Sequence, residues 1–165
     1  MNRRGFSLVE LIVVTAIISI LLGIATLNFN QWQRKSQVER TVKELYADLM
    51  QARQQAMVTG LRHRARFVTA NQVSFHRYSS EFDILGTQLS QKSLSYAIER
   101  SAPWVGNEIE FNSRGMMEDA QPKAVCVFSD AGPAIDGIAI LQSRISLGKI
   151  TNQGNPCATT NITLK

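Results

Sequence analysis

The segment Arg4-Gly5-Phe6-Ser7-Leu8-Val9-Glu10, continued without a break by LIVVTAIISILLGIATL to Leu27, decides how this chain is to be read. Between Phe6 and Leu27 the sole ionisable side chain is Glu10. A helix needs roughly 20 mostly apolar residues to cross about 30 Å of hydrocarbon, so the run is long enough to span. Arg3 and Arg4 stand directly before it and favour keeping that end in the cytoplasm. No second run of this length follows, which predicts one anchor and a remainder on the far side of the membrane.

Three readings compete for this N-terminus. A secretory signal has an apolar core of about 7–15 residues followed by a small-residue cleavage site. Here the core is longer, and Gly23-Ile24-Ala25-Thr26-Leu27 is a poor site. A plain anchor leaves Glu10 unexplained, because an unpartnered carboxylate deep in a bilayer costs about 3 kcal/mol or more. The third reading accounts for it. Residues Arg4 to Glu10 resemble the class III signal of type IV prepilins and type II secretion pseudopilins. The resemblance implies a leader of residues 1–5, cut by a prepilin peptidase between Gly5 and Phe6, with Phe6 then N-methylated. Glycine suits such a cut, since a residue without Cβ lets the backbone approach a protease closely. The resemblance also implies that Glu10 pairs with the N-terminal amine of a neighbouring subunit and so sets axial register, as a buried polar group does in a coiled coil. Many major pilins carry proline where this chain has Leu27, a departure that leans towards a minor pilin or a pseudopilin.

The helix does not stop with the apolar run. From Asn28 to Met57 there is no glycine or proline, and Val38, Val42, Leu45, Leu49, Ala52 and Ala56 recur at spacings of four and three. That is one apolar stripe on a helix, best used against the chain's own sheet. Gly60 marks the expected stop. Trp32, just past the apolar run, fits either a membrane interface or simple packing. Beyond Gly60 the pattern changes to short strands: Arg64–Val68, Val73–Tyr78, Ser93–Ile98, Glu108–Asn112, Lys123–Ser129, Gly137–Leu141, Arg144–Ile150 and Asn161–Leu164. The expected fold is α+β, a long N-terminal helix packed on an antiparallel β-sheet domain. Residues 6–29 form the membrane and filament-core helix; residues 30–165 form the amphipathic half and a periplasmic domain. Cys126 and Cys157 are expected to pair as a disulfide in that oxidising compartment, two buried free thiols being the alternative.

Two further segments narrow the resemblance. Ala52-Arg53-Gln54-Gln55-Ala56, leading to Gly60 and the basic strand Leu61–Phe67, resembles the helix end of GspH/FimT-type minor pilins. Phe111-Asn112-Ser113-Arg114-Gly115 resembles that family's aromatic and Arg-Gly turn. The resemblance implies a minor type IV pilin, with a type II secretion pseudopilin as the alternative. Its partners would be other pilins or pseudopilins, the prepilin peptidase and an inner-membrane assembly platform. A DNA-binding minor pilin of natural transformation is a further alternative.

Against enzymatic function, His63 and His76 lack a ligand or nucleophile constellation, and no G-x-S-x-G, P-loop or dinucleotide turn is present. No cofactor or metal is expected. Asn161-Ile162-Thr163 matches a glycosylation sequon, a three-residue pattern that often arises by chance. The formal net charge of +5 leaves nucleic acid as a candidate ligand. Arg62, Arg64 and Arg66 alternate on an expected strand and share a face, where with His63 and Arg77 they could hold phosphates. Arg144 and Lys149 are further candidates. A solvated strand face or a subunit contact is the plainer reading of these cations.

Overall fold

The computed structural model describes residues 7–80, 82–101 and 107–165, except for the side chains of 24–28. The chain divides into two compact units, 1–34 and 35–165. Helix α1 runs from Leu8 to Thr59, 52 residues without interruption. It ends where Gly60 takes φ +66°, the left-handed conformation that terminates helices cheaply only at glycine.

Nine strands follow among the described residues: β1 (His63–Thr69), β2 (Gln72–Arg77), β3 (Thr87–Ser93), β4 (Glu99–Arg100), β5 (Glu108–Phe111), β6 (Lys123–Cys126), β7 (Gly137–Ile140), β8 (Ile145–Ile150) and β9 (Ile162–Leu164). They form two antiparallel sheets, in the orders β3-β2-β1-β5 and β4-β6-β7-β8-β9. The fold is therefore α+β, with a long helix and antiparallel sheets.

All six stripe residues of α1 are buried. They share one core with Ala65, Phe67, Val73, Phe75, Ile109 and Phe111 of the first sheet and with Val125, Ile138, Ile140 and Ile145 of the second. The second sheet is buried on its other face too. There Ala124, Cys126, Ala139, Ile150 and Ile162 pack with Cys157. This explains why Ala124–Cys126 of β6 and the whole of β7 read as apolar runs, whereas β5 alternates.

Cys126 and Cys157 form a disulfide with Cα atoms 5.8 Å apart. It fastens the segment that returns the chain to β9, the three-residue edge strand. Asn161 is buried in that segment, its Oδ1 accepting from the Asn152 N–H and its Nδ2 donating to the Asn152 and Pro156 carbonyls. Those bonds leave the sequon asparagine enclosed.

One strand expectation fails. The sequence pattern predicts a strand over Ser93–Ile98, but only Ser93 belongs to one. Leu94 and Ile98 turn inward as core fillers, their N–H groups donating to the Asn71 and Ala70 carbonyls in the β1–β2 turn. The true strand is Thr87–Ser93, an exposed edge with no buried face and therefore no apolar alternation to reveal it.

Candidate assembly site

The first turns of α1 carry Glu10, where the helix N-terminus favours a carboxylate. Around it, Leu8, Val9, Leu11, Ile12, Val13, Val14, Ile17, Ile18, Ile20, Leu21 and Leu22 are all about half exposed or more. The two hydroxyls in this stretch are satisfied within the helix: Thr15 Oγ1 donates to the Ile12 carbonyl and Ser19 Oγ to that of Thr15. Glu10 is left as the polar side chain with nothing opposite it among the described residues. An apolar surface all round a helix requires a covering medium, either lipid or other helices. Among the described residues no helix is long and apolar enough to cross a membrane. The expected span also includes Phe6 and the side chains of 24–28, which, with Gly5 and the peptide bond expected to be cut, lie outside the described residues.

At the other end of α1 the two segments singled out in the sequence meet. Arg53 Nε donates to the Gly115 carbonyl at 2.8 Å. The Asn112–Gly115 turn is closed by Asn112, whose Oδ1 accepts from the Arg114 and Met116 N–H groups and whose carbonyl accepts from Gly115. Gly115 has φ +72°, and a Cβ there would stand 2.6 Å from Cγ of Met57. Gly115→Ala should therefore destabilise the domain by about 1–2 kcal/mol, partly relieved by movement of the flexible Met57 chain. Urea unfolding of a soluble fragment comprising residues 35–165, the second compact unit, would measure this.

The arginines expected to present a basic face are placed differently from one another. Arg62, Arg64 and Arg66 do lie opposite Ala65 and Phe67, but the first two are occupied within the domain. Arg62 Nη1 meets Glu110 Oε1 at 3.0 Å and its guanidinium lies 4.5 Å from the Tyr78 ring centre. Arg64, buried, pairs with Glu108 at 3.3 Å and lies 5.2 Å from the same ring. Their Nη2 groups donate to loop carbonyls, Arg62 to Asp83 and Arg64 to Leu85. Burial, with Glu110 adding to it, pushes the Tyr78 hydroxyl up to about 12, so it stays neutral between the arginines. His63 is buried with Nδ1 against the Leu61 carbonyl. Burial and the neighbouring Arg64 and Arg66 hold the His76 imidazole below its usual value, so it adds no charge at neutral pH. Of the expected basic face, Arg66 and Arg77 stand exposed, as do Arg144 and Lys149 on the second sheet. Arg62 and Arg64 thus tie the start of β1 to β5 and to the β2–β3 loop.

That loop is not singled out by the sequence. Asp83 organises it: Oδ2 accepts from the Ser79 N–H and hydroxyl, and Oδ1 accepts from the Leu85 and Gly86 N–H groups. The Ser79 amide is the largest cause, and together these donors hold the Asp83 carboxyl down at about 2. A carboxyl depressed by native hydrogen bonds stabilises its loop above its unfolded value and loses that contribution as pH falls through the folded one. The amide shifts of Ser79, Leu85 and Gly86 should accordingly titrate together with a midpoint of about 2; a shared midpoint at about 4, the unperturbed value, would show that the bonds do not form.

With this geometry described, comparison with known proteins adds the following. The prokaryotic N-terminal methylation motif matches residues 1–26. Among solved structures, the type IV minor pilin FimU of Pseudomonas aeruginosa superposes with a TM-score of 0.56 at 13% identity, covering 78% of this chain and 97% of that one. The minor pseudopilin EpsH of the type 2 secretion system of Vibrio cholerae gives 0.52 at 12% identity, covering 67% and 95%. No curated protein sequence matches the chain. The chain thus carries the prokaryotic N-terminal methylation motif and has a fold similar to that of a type IV minor pilin and a minor pseudopilin.

Proposed function

We propose that this chain is a minor type IV pilin of the GspH/FimT kind, held in the inner membrane by α1 with its C-terminal domain in the periplasm. Prepilin peptidase would cut between Gly5 and Phe6, Phe6 would be methylated, and the mature chain would enter or prime a pilus on an inner-membrane assembly platform. The observation that carries this reading is the exposed apolar run Leu8–Leu22 of α1 with one carboxylate, Glu10, in its first turn, joined to a fold similar to that of minor pilins. Such a helix gains from packing among similar helices, where an N-terminal amine can neutralise the carboxylate. No catalytic step is assigned: the work is non-covalent assembly.

The pseudopilus of a type II secretion system would use the same parts, and likeness to EpsH as well as FimU keeps it as the second reading. Deleting the gene separates the two. Loss of surface pili and twitching with secretion intact supports the pilus, and lost secretion with normal pili supports the pseudopilus.

DNA binding is the weaker reading, since Arg62 and Arg64 are consumed by Glu110 and Glu108. Were DNA bound through Arg66, Arg77, Arg144 or Lys149, affinity of the fragment comprising residues 35–165 would fall steeply with salt. No gel shift at low salt would remove that reading.

A further inference from the structure

The β2–β3 loop presents Phe82, Ile84 and Leu85 at 93%, 83% and 80% exposure. Large apolar side chains this exposed usually belong to mobile tips, yet this one is pinned. Asp83 binds three amides and a hydroxyl, and Arg62 and Arg64 hold two of its carbonyls from below. A rigid apolar tip loses little conformational entropy when covered, which is the property of a docking element rather than of a spacer.

The chain runs from this tip directly into β3, the edge of the first sheet. Its seven residues contain no proline, and among the described residues no strand lies on its outer side. Edge strands are commonly guarded by lysine. Here Lys92, the one lysine of β3, is drawn away to Asp48 of α1 at 2.8 Å. The register shift opposite Phe75 and His76 leaves Leu89 unpaired and half exposed, so the regular stretch open to pairing is Ser90–Ser93. An open row of backbone donors and acceptors is complemented by one kind of ligand, an extended polypeptide.

We propose that Phe82–Leu85 and the outer edge of β3 together form a docking surface for an extended segment of another filament subunit, the apolar tip anchoring it and the edge pairing with its backbone. This rests on the assembly reading above. Lipid is an unsuitable occupant: the loop lies at the end of α1 where Arg62 meets it, and Thr59 is roughly 36 Å along the helix from Lys35 at 1.5 Å per residue. Two copies of β3 pairing with each other antiparallel would be related by a two-fold axis, which opposes their helices. Subunits of a polar filament all point one way, so an antiparallel pairing of β3 with its own copy does not fit.

Photo-crosslinking residues placed singly at Phe82, Gln91 and Ile17 of the full-length chain, expressed with its native filament partners, test this. Phe82 and Gln91 should crosslink to the same pilin-type polypeptide, and F82S/I84S/L85S should cut the Gln91 product at least tenfold while the Ile17 product persists. An Ile17 product without products at Phe82 and Gln91, a lipid adduct at Phe82, or a symmetric β3–β3 dimer overturns the proposal with assembly left standing. Absence of the Ile17 product as well overturns the assembly reading, and this surface with it.

Discussion

Glu10→Leu should leave the chain inserted in the membrane and its domain folded, yet reduce its incorporation into filaments at least tenfold. The substitution makes α1 more apolar, so insertion gains by up to about 3 kcal/mol on insertion scales. On the proposed reading, assembly loses the group expected to match a neighbour's amine. Breaking one partner of a pair buried in an apolar bundle costs about 3–5 kcal/mol, because the other charge is left uncompensated, and each step of about 1.4 kcal/mol is a factor of ten. Glu10→Asp should recover part of the loss. Glu10 belongs to the first compact unit, so thermal unfolding of the domain should be the same for wild type and variant. Immunoblots of membrane and sheared-filament fractions provide the readout; equal incorporation of Glu10→Leu and wild type would remove Glu10 from the assembly mechanism.

The second large effect concerns the disulfide. Replacing Cys126 and Cys157 together by alanine should destabilise the domain by about 3–4 kcal/mol, the size expected for opening a loop of this length, with a sequence separation of 31. The loss should be local in character. β9 has three residues and, among the described residues, pairs only with β8, and Ile162 packs in the small cluster that contains both cysteines. Without the crosslink, the amides of residues 151–165 should exchange with solvent well before those of β1 and β2. At Gly148 β9 lies close against β8: a Cβ there would stand 2.3 Å from Ile162 and 2.6 Å from the Thr163 carbonyl. Uniform protection across both sheets in the alanine double variant would show that β9 holds by its own contacts.

The long helix was legible because a stripe at spacings of three and four matches the helical period and no strand, and every member of it is buried. In the second sheet β6 to β9 were legible, but β4, the polar pair Glu99-Arg100, carries no apolar signal and was not expected. β3 was not, because a strand exposed on both faces carries no period of two in its hydrophobicity, and TQLSQKS reads as a polar connection. The basic face was half legible. Alternating arginines on one face were visible, but their partners lie 48 and 44 residues downstream. The signal that could have found them is the matching alternation in Glu108-Ile109-Glu110: two carboxylates at a period of two suit an antiparallel neighbour of the arginine strand, and β1 does pair with β5, with Arg64 opposite Glu110 and Arg66 opposite Glu108, so the ion pairs Arg62–Glu110 and Arg64–Glu108 run diagonally across the two strands. The Asp83 loop was hidden for another reason. A carboxylate accepting from amides two to four residues away is a common turn device whose meaning depends on the exposed Phe82, Ile84 and Leu85 around it.

The central claim is that this chain becomes a processed filament subunit, and the N-terminus of the protein recovered from sheared filaments tests it most directly. Mass spectrometry should find the chain in that fraction beginning at Phe6, with one methyl group on its amine. Recovery only in the membrane fraction with Met1 to Gly5 intact, or a mature chain cut beyond the apolar run, would contradict the account.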